Sequence, residues 1–167
     1  MATVVLSERN GAAAGTATSN VTNFNFGSID AVNVDPVANP IAPGANSYEK
    51  YHYFEVTAMG LSSKVDQLIV WRTGALGGAA TEVTNARTAT YGGALTYVAP
   101  VVTTSTVATQ AMPTANPAVA NVGIAASLTG SLTAIGSSDY FVHQIITNAS
   151  DTVGATCTWN GQYRDTQ

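Results

Sequence analysis

Charge, cysteine and aromatic side chains are all scarce in this chain of 167 residues: charged residues make up 10%, aromatic residues 8%, and there is one cysteine. The lone Cys157 excludes an internal disulfide framework and a cysteine-based zinc site. Lying in a strand-like segment, it reads as a small buried hydrophobe rather than a nucleophile. The six cations (Arg9, Lys50, Lys64, Arg72, Arg87 and Arg164) are scattered, and the formal net charge is −4. A phosphate-backbone binder needs clustered Lys and Arg, so nucleic acid is not an expected partner. Long apolar runs are missing too. DQLIVW (66–71) falls far short of the ~20 residues a spanning helix needs, and no membrane partner is expected. The opening MATVVLSERNGAAAG lacks a basic region and a long apolar stretch, which predicts synthesis in a cytoplasm without a signal peptide. Soluble domains carry roughly a quarter charged residues. So low a fraction fits either a surface of Thr, Ser and Asn or a subunit buried against its neighbours.

What is present is β chemistry. Thr and Val are abundant, Gly and Pro punctuate the chain, and no long helical stripe occurs. Strands are expected near residues 3–6, 20–26, 48–57, 65–72, 81–85, 94–100, 107–110, 121–127, 139–147 and 156–163. A coil or short helical turn is expected near 117–121. Turn chemistry separates the strands, as in GLSSK (60–64), GALGGAA (74–80) and MPTANP (112–117). Short strands at this spacing predict an all-β single domain, an antiparallel β-sandwich or jelly roll, with a small barrel as the alternative. Residues 1–20 form an expected extended N-terminal arm, and residues 21–167 the sandwich. In VDQLIVWR (65–72) both alternating sets carry apolar residues, so both faces of that strand should be covered.

No catalytic constellation stands out, and no enzyme activity is expected. Glu49 and Glu55 share one strand face at ~20 Å, beyond either glycosidase geometry. His52 and His143 lie in two aromatic-rich strands and would meet if those strands were neighbours. No third ligand is signalled, so satisfied or solvent-facing imidazoles are expected rather than a metal site. Asp30, Asn33 and Asp35 lack the glycine and the terminal glutamate of a calcium loop and read as a turn before Pro36. The glycine-rich pieces lack a phosphate-cradling pattern, and no GxSxG elbow exists. Asn20 and Asn148 match a glycosylation pattern that has no secretion signal to support it. No cofactor is implied.

SYEKYHYFEVT (47–57) gathers aromatics found in few other places. Alternation sets His52, Phe54, Val56 and Ala58 on one face, expected to be core. Tyr51, Tyr53, Glu55 and Thr57 lie on the other, amphipathic face, where a covering protein surface is expected, either the chain's own arm or a neighbouring subunit. Tyr51, Tyr53, Glu55 and Trp71, with Val4 and Leu6 of the arm, are the expected interface residues. A sugar-stacking face is the competing reading.

From YEKYHYFEVT through VDQLIVWRTG and MPTANPAVANVGI to SLTGSLTAIGSSDYFVHQIITNASDTVGATCTWNGQYRD, the order and style of segments resemble virion structural proteins of tailed bacteriophages, in particular small β-sandwich head decoration or cement proteins. Tail and fibre domains share this style. The resemblance implies a protein of the phage head surface, made in the host cytoplasm. Its implied partners are the major capsid protein and copies of itself, as a trimer at local symmetry axes or a monomer at hexamer centres. Stabilisation of the assembled shell would follow by mass action, because the protein binds that state alone.

Overall fold

The computed structural model describes residues 1–12, 14–85, 96–103, 107–151 and 157–167. The chain is all-β. Among the described residues there are ten strands and no helix: β1 (Thr3–Asn10), β2 (Thr16–Thr18), β3 (Lys50–Ala58), β4 (Lys64–Thr73), β5 (Thr81–Thr84), β6 (Gln110–Ala111), β7 (Ser131–Leu132), β8 (Gly136–Ser137), β9 (Phe141–Ile146) and β10 (Thr158–Thr166). All pairings are antiparallel. The larger sheet runs β2-β1-β3-β9-β5-β6, with β8 also on β3, and the smaller runs β10-β4-β7.

The two sheets enclose a common apolar core. Phe54, Val56 and Phe141 from the larger sheet meet Val65, Leu68 and Val70 from the smaller one, joined by Val122 and Ile124. A Cβ on Gly161 of β10 would stand 3.1 Å from the Phe54 ring, so glycine is what lets the sheets approach there.

Residues 3–10 do not reach outward as an arm. They form β1, which lies between β2 and β3 and pairs with β3 from Thr3↔Ala58 to Arg9↔Tyr51. Alternating Val4, Leu6 and Glu8 need a sheet to face, and β3 supplies the backbone partners. Gly11 and Gly15 both take positive φ, and residues 16–18 pair back along β1 as β2.

The strand expected at 20–26 is coil. Asn20 adopts a positive φ of 58°, and the Asn23 and Asn25 side chains bond to Asn33 and to the Val34 carbonyl. Phe24 and Phe26 drive this arrangement, because their rings pack against His52, His143 and Trp159. The strand expected at 121–127 is reduced to a bridge between Ile124 and Ser127. Ala125 and Ala126 both sit at positive φ between them, the backbone of a tight hairpin turn. Asp139 Oδ2 accepts from the Ala126 N–H and holds that turn. At 107–110 only Gln110 is in a strand, and residues 96–100 carry none; positions 94, 95 and 156 lie outside the described residues.

β4 accounts for its two-faced pattern with a bulge. Gln67, at φ 51°, is inserted where the β10 register shifts between Gln162 and Arg164. An extra residue flips the parity of the strand. Val65 points inward before the bulge, and Leu68 and Val70 point inward after it. Asn121 then caps the β4 edge: its amide accepts from Val70 N at 2.8 Å and donates to Val70 O at 2.7 Å.

Candidate functional site

On β3 the inward face begins apolar and ends ionisable. Register puts Val56 opposite Val4, Phe54 opposite Leu6, and His52 opposite Glu8. On the other side, Phe141 faces His52, and His143 faces Lys50. β5 adds Thr84 opposite His143, and Glu82 opposite Ile145. Period-2 geometry therefore aims Glu8, Lys50, His52, Glu82 and His143 into the same space between the sheets.

These side chains form one continuous chain of contacts. Lys50 Nζ donates to Glu8 Oε1 at 2.7 Å and to the Ala31 carbonyl at 2.7 Å. Glu8 Oε2 lies 3.1 Å from His52 Nε2. His52 Nδ1 meets His143 Nε2 at 2.6 Å, and His143 Nδ1 meets Glu82 Oε1 at 3.1 Å. Arg72 of the smaller sheet closes the series, its Nε 3.3 Å from Glu82 Oε2 without hydrogen-bond alignment. Phe24, Phe26 and Trp159 roof the imidazoles, with the Trp159 ring 4.4 Å from that of His143. Glu8, His52 and His143 are wholly inaccessible to solvent.

Proton counting assigns the charges. The three contacts from Glu8 to Glu82 need three protons, and two neutral imidazoles carry two. Burial holds both histidines below their usual pKa, His143 well below it. Burial also pushes the Glu82 carboxyl up to about 9, against the pull of Arg72. The third proton therefore rests on Glu82. Glu8 resists the same desolvation: hydrogen bonds and charge from His52 and Lys50 hold its carboxyl below the ordinary value. The direction is then fixed. Glu82 O–H donates to His143, His143 Nε2–H donates to His52, and His52 Nε2–H donates to the Glu8 carboxylate.

A nitrogen–nitrogen separation of 2.6 Å is that of a hydrogen bond and leaves no room for a metal between the imidazoles. Among the described residues no group of three or more His, Cys, Asp or Glu is placed to hold a metal. The relay holds and orders protons between the two sheets.

Tyr51 and Tyr53 are also covered, by this same chain. The Tyr97 and Tyr140 rings lie 5.0 and 5.7 Å from that of Tyr51, and Tyr140 lies 5.4 Å from Tyr53. Arg9 stands over Tyr97. Glu55 is half-buried and accepts from the Ser7 and Ser19 hydroxyls, both at 2.6 Å. Trp71 is half-buried on β4. Val4 and Leu6 pack on the inter-sheet core. Asp30, Asn33 and Asp35 go separate ways, to Asn10 and Gly11, to Asn23, and to the Val37 and Ala38 N–H groups. Cys157 is half-buried, and burial raises its thiol pKa.

The two histidines meet, as their strands permitted. Glu8, Lys50, Glu82 and Arg72 are the members that sequence reasoning missed. One signal was there: Glu8 continues the inward series Val4, Leu6, and Lys50 continues the series Phe54, His52. No family model, curated protein or solved structure matches this chain.

Proposed function

We propose that this chain is a structural virion protein, a head decoration or cement subunit that binds the assembled phage shell and stabilises it through intersubunit contacts. The carrying observation is an inverted distribution of side chains. Ionisable groups are sealed between the sheets, while Leu61 is 84% exposed, Met1 76% and Ile135 70%. These three converge on one end of the larger sheet. Thr3 of β1 pairs with Ala58, the Met1 carbonyl abuts Gly60, and Gly136 of β8 pairs with Val56. Three of the nine exposed large apolar side chains among the described residues are thus gathered at one end of a charge-poor domain, which suits burial against a neighbouring subunit. The resemblance in segment order agrees with this, and many modest contacts that form only on the assembled shell stabilise that shell.

A sugar-binding module has less support, because two of its four stacking candidates, Tyr51 and Tyr53, are buried under this chain's own tyrosines, while Tyr48 and Trp71 are half-buried. The test is co-sedimentation with expanded shells, followed by electron microscopy of labelled particles. Label on the head is the expected result, and Leu61→Ser with Ile135→Ser should weaken binding without lowering the melting temperature. Label on the tail would move the protein to the tail or fibre class. A stable monomer that never pellets with particles would overturn the structural reading.

A further inference from the structure

The polar end of the relay holds a second arrangement, on its β1 side. Glu8 Oε1 accepts from Lys50 Nζ at 2.7 Å and also from Asn10 Nδ2 at 2.7 Å. Asn10 lies one position beyond the Arg9↔Tyr51 pair, so it and Lys50 face each other across β1 and β3, on the side that carries Glu8 and His52. Lys50 is 2% exposed. The Asn10 amide nitrogen also donates to Asp30 Oδ1 at 2.9 Å. Its carbonyl oxygen is buried and has no hydrogen-bond partner among the described residues. A buried amine and a buried carboxylate oxygen are thus held against the half-buried Asn10 amide, that one oxygen bridging both nitrogens.

We propose that Lys50 and Asn10 form an intramolecular isopeptide bond, with Glu8 as the proton carrier. Glu8 takes a proton from the Lys50 ammonium through Oε1, and the freed amine attacks Asn10 Cγ. A C–N bond forms and the carbonyl π bond opens to a tetrahedral centre. Glu8 passes its proton to Nδ2, the Cγ–Nδ2 bond breaks, and the carbonyl reforms. A second proton from Nζ follows the same route. The balance is one ammonium and one secondary amide from an ammonium and a primary amide, and no oxidant or other reactant is needed. The leaving nitrogen already touches the oxygen that must protonate it. Asp30, on the same nitrogen, is placed to hold the departing ammonium. Fixed geometry supplies the rate, since well-oriented intramolecular groups reach effective concentrations of about 10⁵–10⁸ M. The product ties the first strand covalently to the third, independently of whether the protein belongs to a virus particle.

Intact mass of the full chain under denaturing conditions is the test. The expected mass is about 17 Da below that of the sequence, the loss of one ammonia. Asn10 precedes Gly11, and cyclisation at Asn-Gly to a succinimide loses the same mass, so the site must be mapped. Chymotrypsin cuts after Phe24, Tyr48 and Tyr51, and should release the peptide containing Asn10 joined to Glu49-Lys50-Tyr51. Lys50 should also resist trypsin. Asn10→Ala and Lys50→Arg should each restore the mass expected from sequence. If either variant fails to fold, the wild-type digest decides alone. A wild-type mass equal to that of the sequence overturns the proposal, and so does an ammonia loss confined to a linear peptide.

Discussion

The space between the sheets has two ends, built on the same strands and held together by opposite means. At one end Phe54, Val56, Leu68, Val70 and Phe141 pack by shape and area. At the other, Lys50, Glu8, His52, His143, Glu82 and Arg72 hold one another through directed contacts of 2.6–3.3 Å. An apolar core tolerates the loss of any one contact in proportion to the area lost. A buried hydrogen-bonded chain anchored on one ion pair does not, because losing a partner leaves a buried polar or charged atom unsatisfied. The ionisable end is thus where a single atom matters most.

Glu8 and Glu82 give the sharpest division. Glu8→Gln leaves the Lys50 ammonium buried without a counter-ion and removes the proton carrier for the proposed Lys50–Asn10 bond, and should cost at least about 3–5 kcal/mol in chemical denaturation. Glu82→Gln replaces a group that is already protonated and should cost about 1 kcal/mol or less. Equal losses would mean that the third proton sits on an imidazole instead. At the apolar end, Leu68→Ala should cost about 2–5 kcal/mol. Its cost should not change between pH 5 and 8, since no titrating group is lost.

Stability against pH separates the two ends further. Both imidazoles titrate in the folded protein below the ordinary 6.5. The unfolded chain therefore binds more protons below about pH 6.5, and stability falls with acid by up to about 1.4 kcal/mol per unit per histidine. Glu82 acts in the other direction. Its folded carboxyl stays protonated up to about 9 against an ordinary 4.5, so its contribution is complete below pH 4.5 and drains away as pH rises towards 9. Denaturant midpoints across pH 5–9 should pass through a maximum, and Glu82→Gln should flatten the alkaline limb and steepen the acid one. The smallest effect belongs to the bulge at the apolar end. Gln67→Gly relieves a left-handed residue and should stabilise by roughly 1 kcal/mol. A loss there would show that the Gln67 side chain, not only its backbone, shapes β4.

The legible parts of the fold were those where periodicity and core agree. Residues 48–57, 65–72, 81–85 and 139–147 are strands within a few residues, and His52, Phe54 and Val56 point inward as alternation predicts, while Ala58, expected with them, is exposed at the end of β3. Legibility failed where side chains outbid the backbone. Asn20–Phe26 alternates like a strand, yet its phenylalanines roof the histidines from a coil. In VDQLIVWR the two-faced pattern reflects a change of parity at Gln67 together with cover over the opposite face, where Ile69 is buried too. Strands of two or three residues, such as β2, β7 and β8, carry too little periodicity to be read at all. For the site, the histidine pair was visible as two strands that had to become neighbours, while Arg72 and Trp159 came from the opposite sheet.

By itself the amino-acid sequence determined an all-β chain without a disulfide framework, and it determined which side chains of β3 share a face. Those properties follow from composition and from the period of a strand, which are local. Tertiary structure alone decided that Glu8 faces His52, that His143 sits beside Lys50, and that Tyr97 and Tyr140 cover Tyr51 and Tyr53. Strand order and register across many intervening residues set those meetings, and the strong coupling of buried charges at short range then made the register matter.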